Sequence, residues 1–212
     1  RHVVTILIQD INPILGFGML SGLLSVFSYI PYIIDTIRRR TTPQRASWLI
    51  WSVLGTIAFF SQIHEGAGPS LWFSGVQISG TLTVFFLSIW IGAGHYLQKT
   101  DCMILCVAAL GLLAWGFAET AVYALAISIS ISLIGGSVTV LKAYRDPDSE
   151  TMSMWLVSFI ASIFAALSVG GWNWVLLAYP LYLFTLYGAI LGAMVLGRAR
   201  RRMILPGFLS IE

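Results

Sequence analysis

Residues 28–51 read SYIPYIIDTIRRRTTPQRASWLIW. An apolar run closes on three consecutive arginines, Arg38, Arg39 and Arg40. A short polar stretch with Pro43, Gln44 and Arg45 follows, and a second apolar run opens at Ser47 with Trp48 and Trp51. A helix that has just crossed a hydrocarbon layer ends this way, because guanidinium groups stay in water while apolar side chains leave it. The stretch therefore reads as two membrane crossings joined by a short basic loop. On either side of it the alternation continues. Seven segments are long and apolar enough to cross, at residues 11–37, 47–63, 71–92, 102–117, 121–141, 154–169 and 174–196.

Charge gives these crossings a direction. Arg38, Arg39, Arg40, Arg45, Lys99, Lys142, Arg145, Arg198, Arg200, Arg201 and Arg202 fall on one side of a seven-crossing layout, and only Arg1 falls on the other. Basic residues beside helix ends resist translocation, so the basic side is cytoplasmic. The N-terminus is then outside and the C-terminus inside, as an odd number of crossings requires. The composition agrees: 58% of residues are hydrophobic and 10% charged, with mean hydropathy +0.86. A soluble domain has no interior large enough for that much apolar surface. Seven crossings of ~20 residues use about 140 residues, which leaves short loops and no separate soluble domain. The net charge of +3 points to anionic lipid headgroups on the cytoplasmic side as partners and not to nucleic acid. Cys102 and Cys106, one helical turn apart on that side, read as buried small apolar residues and not as a disulfide.

The order of features repeats. When Trp48 is superposed on Trp155, Arg38 falls on Arg145, Asp35 on Lys142 and Pro31 on Val138. The third segment (LWFSGVQISGTLTVFFLSIW) and the seventh (WVLLAYPLYLFTLYGAILGA) both open on Trp and run through small and polar residues into apolar ones. The chain thus divides into a three-helix repeat at 1–98, a linker helix at 99–119, a second three-helix repeat at 120–202 and a tail at 203–212. One linker crossing gives both triplets the same orientation, so the repeats are parallel. The expected fold is all-α and polytopic, with seven transmembrane helices arranged three, one, three.

The layout and the segment at 28–51 resemble the PQ-loop and SWEET superfamily of seven-helix membrane transporters. Members read Ser-x-x-Pro-Gln near the cytoplasmic end of the first helix, followed by a basic loop, a Ser and an aromatic-rich second helix. Ser28, Pro31, the Arg38–Arg40 cluster and Ser47 match. Tyr32 stands where the motif has Gln, and Val138 replaces the proline in the second repeat. The resemblance implies hinge prolines for alternating access and tryptophans of the second and sixth helices around a solute pocket. It also implies a carboxamide on the third helix that contacts the solute.

The residues give each role two readings. Pro31 breaks a backbone hydrogen bond inside the first helix and frees the carbonyl of Phe27, as a hinge or as a static kink. Pro180 is a second hinge candidate, and Gly135 with Gly136 could loosen the fifth helix. Trp48, Trp51 and Trp155 are substrate-binding candidates; Trp48 and Trp155 read equally as headgroup anchors. Gln77, a carboxamide deep within a helix, can serve a solute or bond between helices. Tyr179 is its approximate mate in the second repeat. Asp35 lies a turn from Arg38 and Arg39, and reads as their ion-pair partner. As a gate or proton site it would work with Arg38 or would meet Lys142 across the repeat axis.

No Asp, Glu, Lys, Arg or His lies in the middle third of any segment, whereas ion-coupled carriers usually keep such a residue at depth. A retinal protein needs a lysine in its last helix, and Lys99 and Lys142 are the only lysines. His2, His64 and His95 are scattered at ends and loops, so no catalytic constellation, metal site or cofactor is expected. The expectation is a carrier of a small neutral or zwitterionic solute, a sugar or an amino acid, acting by facilitated diffusion. The alternatives are a sorting receptor of the KDEL-receptor kind and a nicotinamide-riboside-type vitamin carrier, whose signature Trp48-x-x-Trp51 partly echoes. A homo-oligomer stays open.

Overall fold

The computed structural model describes residues 12–92 and 120–204 and, between them, residues 99, 102, 103, 106, 109, 110, 113 and 117. Among the described residues every regular element is helical. The elements are α1 (Pro13–Ile37), α2 (Arg45–His64), α3 (Leu71–Trp90), α4 (Ala121–Arg145), a 3₁₀ turn (Pro147–Ser149), α5 (Met152–Leu167) and α6 (Trp174–Ile204). Five of them are long and apolar enough to cross a membrane, and α5, at 16 residues, is an apolar but shorter helix.

Local chemistry sets the ends. Asn12 Oδ1 accepts from the Ile14 amide, with Pro13 in the first turn where its missing N–H costs nothing. Thr120 caps α4 through the Tyr123 amide, and Asn173 caps α6 through the amides of Val175 and Leu176. α4 stops at Asp146-Pro147, because the residue before a proline is pushed out of the helical region. α2 and α5 end two and three residues before Gly66 and Gly170, both at positive φ.

Two expectations are corrected here. The last helix does not stop at residue 196. Good helix formers continue to Ile204, so Arg198, Arg200, Arg201 and Arg202 lie on α6 and not in a loop. Arg201 bonds Asp146 and Asp148 beyond the end of α4. Cys102 and Cys106 are free and exposed, not buried. With Ala109, Leu110 and Leu113 they form an outward helical face. The rest of the fourth segment, Arg1, the linker boundaries and most of the tail lie outside the described residues.

The six helices close a ring in the order α3, α1, α5, α6, α4, α2 and back to α3. The neighbour pattern is unchanged when α1 is exchanged with α4, α2 with α5 and α3 with α6. Contacts between helix ends fix the directions. Arg39 reaches the carbonyl of Ile91, Arg45 that of Ser88, and Lys142 that of Thr42. The Thr42 amide donates to the Ser149 carbonyl, and Arg201 reaches Asp146. One end of the ring therefore gathers the C-termini of α1, α3, α4 and α6 and the N-termini of α2 and α5.

α1 is inside out relative to a helix of a water-soluble bundle. The buried face of α1 is Gly18, Ser21, Gly22, Ser25, Ser28, Tyr29, Tyr32 and Thr36, small or polar at every position. Its exposed face is Leu15, Met19, Leu23, Val26, Phe27, Ile30 and Ile37. An exterior of this kind is disfavoured in water and matched by lipid. Inside, small residues let backbones approach closely. A Cβ on Gly18 would lie 2.4 Å from the Pro69 carbonyl, and one on Gly197 2.4 Å from that of Tyr144.

Candidate functional site

All six helices send side chains to one cavity on the ring axis. α6 supplies a stripe at helical spacing: Tyr179, Tyr182, Leu183, Leu186 and Tyr187. α2 supplies Trp48, Trp51 and Gly55, again one face. α1 gives Tyr29, α3 gives Gln77 and Thr81, α4 gives Ser132, and α5 gives Met154 and Trp155. The gap between them totals ≈ 410 Å³, but the centre of a water molecule fits in only ≈ 30 Å³ of it. That is room for about one or two waters, so the lining side chains fill most of the gap.

Rings form most of the wall. Trp48 and Trp51 meet edge to face with centroids 5.3 Å apart, and Trp155 lies 6.3 Å from each. Tyr187 continues the wall 5.8 Å from Trp155. Trp48 and Trp155 are each 1% exposed, so the headgroup-anchor reading of both is corrected: they face the ring interior. Gly80 admits the ring of Tyr29, which would lie 2.3 Å from any Cβ placed there.

Gln77 ties three helices together. Its Oε1 accepts from Tyr29 on α1 at 2.8 Å and from Tyr187 on α6 at 2.9 Å. Its Nε2 donates to Ser25 Oγ at 3.3 Å. Both acceptor positions of the amide are thus in use within the protein. A second carboxamide, Gln62 on α2, is fully buried and takes the Ser74 hydroxyl at 2.9 Å. Ser28 also joins helices, accepting from Ser158 on α5 at 2.9 Å while donating to Ser25 O. Ser158 is the residue superposed on Trp51, so the aromatic wall is asymmetric. The Ser47 hydroxyl likewise crosses to the Gly135 carbonyl on α4 at 2.9 Å. Gly135 and Gly136 pack against Ile50 and Leu186. They are sites of close approach.

A buried ion pair lies behind Trp155, toward the basic end. Glu150 is 4% exposed. One carboxylate oxygen takes Lys142 Nζ at 2.7 Å, and the other takes the Trp155 indole N–H at 3.1 Å. Lys142 also donates to the Thr42 carbonyl. The expected pairing of Asp35 with Arg38, Arg39 or Lys142 is not made. Asp35 Oδ2 instead accepts from Thr151 Oγ1 at 3.0 Å, and Thr151 Oγ1 lies 2.6 Å from Thr41 Oγ1. Glu150 is simply nearer to Lys142, eight residues along a tight turn, and Arg38 is exposed past the helix end.

Of the substrate-binding candidates, Trp48, Trp51, Gln77, Tyr179 and Trp155 all line the cavity. Pro31 and Pro180 are inside α1 and α6, and Pro180 adjoins the cavity through Tyr179. Sequence reasoning missed Tyr29, Tyr182, Tyr187, Ser132 and Glu150. The stripe 179, 182, 183, 186 and 187 was a readable signal. The burial of Glu150 had no local signal, since it sits in a charged turn. No family model, no curated protein and no solved structure matches this chain.

Proposed function

We propose that the chain is a multi-pass membrane carrier for a small neutral or zwitterionic solute. It works by alternating access between two parallel triplets, α1–α3 and α4–α6, joined by a linker crossing at 99–119. The observation that carries the reading is the narrow cavity on the ring axis, with aromatic walls and uncharged polar groups drawn from all six helices. Buried polar side chains inside an apolar-coated bundle mark a path for something polar. The exchange symmetry of the helix contacts supports one triplet rocking against the other. Trp51, Gln77, Tyr179, Trp48 and Trp155 contact the solute. Pro31 and Pro180 bend during opening. The basic end is cytoplasmic and meets anionic headgroups. Lys142, Glu150 and Thr42 latch that end across the two triplets, and Asp35 joins them through Thr151. Arg38 stays outside the latch in this state. Turnover follows the solute gradient and needs no cofactor.

The test is uptake into liposomes by the purified chain, with sugars, amino acids, nucleosides and short peptides at two pH values. Trp51→Ala is expected to abolish uptake of the active solute while the protein stays folded and inserted. Unchanged uptake removes the proposed pocket. Binding of peptides without flux of any solute would favour a receptor.

A further inference from the structure

One carboxylate connects the cavity wall with the contact that joins the two triplets at the basic end. The Glu150 side chain is 0% exposed, so its charge is met by donors within the protein. Oε2 takes the indole N–H of Trp155 at 3.1 Å, and Oε1 takes Lys142 Nζ at 2.7 Å. Trp155 lines the cavity, and its ring lies 5.8 Å from Tyr187 and 6.3 Å from Trp48 and Trp51. Lys142 also donates to the Thr42 carbonyl, which belongs to the first triplet. The Thr42 amide donates to the Ser149 carbonyl at 3.2 Å, one residue before Glu150. Thr42 is thus held at both of its peptide groups by Lys142 and by the turn that leads into Glu150.

A carboxylate is planar and stiff. A shift of the Trp155 indole draws Oε2 with it and swings Oε1 away from Lys142 Nζ, and a hydrogen bond weakens with lost distance and direction. The link is made on one side only. The superposition that sets Trp155 on Trp48 sets Glu150 on Pro43, whose side chain accepts no hydrogen bond.

Resting on the carrier reading, we infer that Glu150 is a positioning residue. It sets the Trp155 ring in the cavity wall and Lys142 against Thr42, so that a displaced ring releases the basic end.

The experiment needs no solute. With Cys102 and Cys106 replaced by serine, the purified chain carrying Thr42→Cys is labelled in detergent with a charged thiol reagent, and the rate reports how often the basic end opens. Thr42 is half-buried and makes these contacts through its backbone, so the reporter keeps them. The rate is compared in this parent, in Trp155→Phe, in Lys142→Met/Glu150→Leu and in the combination of all three substitutions. Trp155→Phe keeps a ring in the wall and removes the indole N–H. It is expected to speed labelling about fivefold in the parent, the change in population that the net strength of one hydrogen bond gives. Where the Lys142–Glu150 pair is already gone it should add nothing, as coupled residues behave in a double-mutant cycle. The same acceleration in both backgrounds means that the ring acts by packing alone, and overturns the inference. No acceleration in the parent overturns it as well. Liposome uptake decides the carrier reading separately: a chain that shows the coupling but moves no solute loses that reading and keeps the link.

Discussion

At Gln77 one side chain holds the interior together. Gln77→Ala would strand the Tyr187 hydroxyl and the acceptor on Ser25, and would leave the Tyr29 hydroxyl only the backbone carbonyl of residue 77, at 3.3 Å. Buried groups left without partners cost about 1–3 kcal/mol, so the variant should melt lower in detergent as well as lose uptake. Trp51→Ala should lose uptake and also melt lower, because its buried ring packs against Trp48 and Trp155 and truncating such a ring costs about 3–5 kcal/mol. Lys142 is a sharper case. Its side chain and that of Glu150 are 11% and 0% exposed, so Lys142→Met leaves an uncompensated buried carboxylate. Removing one partner of such a pair costs about 3 kcal/mol or more. Thermal unfolding should show a large loss for Lys142→Met and recovery in the double variant Lys142→Met/Glu150→Leu.

Helices here are stabilised by closeness more than by apolar burial. Where α6 passes α4, a Cβ on Gly197 would collide with the Tyr144 carbonyl, and five residues earlier Gly192 faces open space. Gly197→Ala should therefore force the two helices apart and lower the melting temperature, while Gly192→Ala should leave it unchanged. Pro31 belongs to the same scale. The carbonyl of Phe27 lacks its usual donor, so α1 can bend there at little further cost. Pro31→Ala should preserve folding and solute affinity but slow turnover in liposome uptake. An unchanged rate would make the proline a static kink. The inverted faces of α1 were legible from Ser21, Ser25, Ser28, Tyr29, Tyr32 and Thr36 at helical spacing. Which face met which neighbour was not, because the pattern marks a buried side without marking what covers it.

Across the whole molecule the basic end should be the cytoplasmic end. With Cys102 and Cys106 replaced, a single cysteine at Arg40 should react with an impermeant thiol reagent only from the cytoplasmic side. One at Gly66, at the opposite end of α2, should react only from outside. The reverse labelling would invert the orientation.

The sequence by itself determined that the chain is helical and apolar-coated, with its basic residues gathered at one end. These follow from the periodicity of apolar residues and from the cost of moving a guanidinium into hydrocarbon, both local properties. Trp48 and Trp51 could be named as large rings at helical spacing, and Trp155 as the repeat mate of Trp48. Only the tertiary structure decided that Trp48 and Trp155 turn inward, that Tyr29 and Tyr187 share one carboxamide, and that Lys142 chooses Glu150 over Asp35. Those choices depend on which helices become neighbours and on the distance between particular atoms. No spacing along a single helix encodes either one.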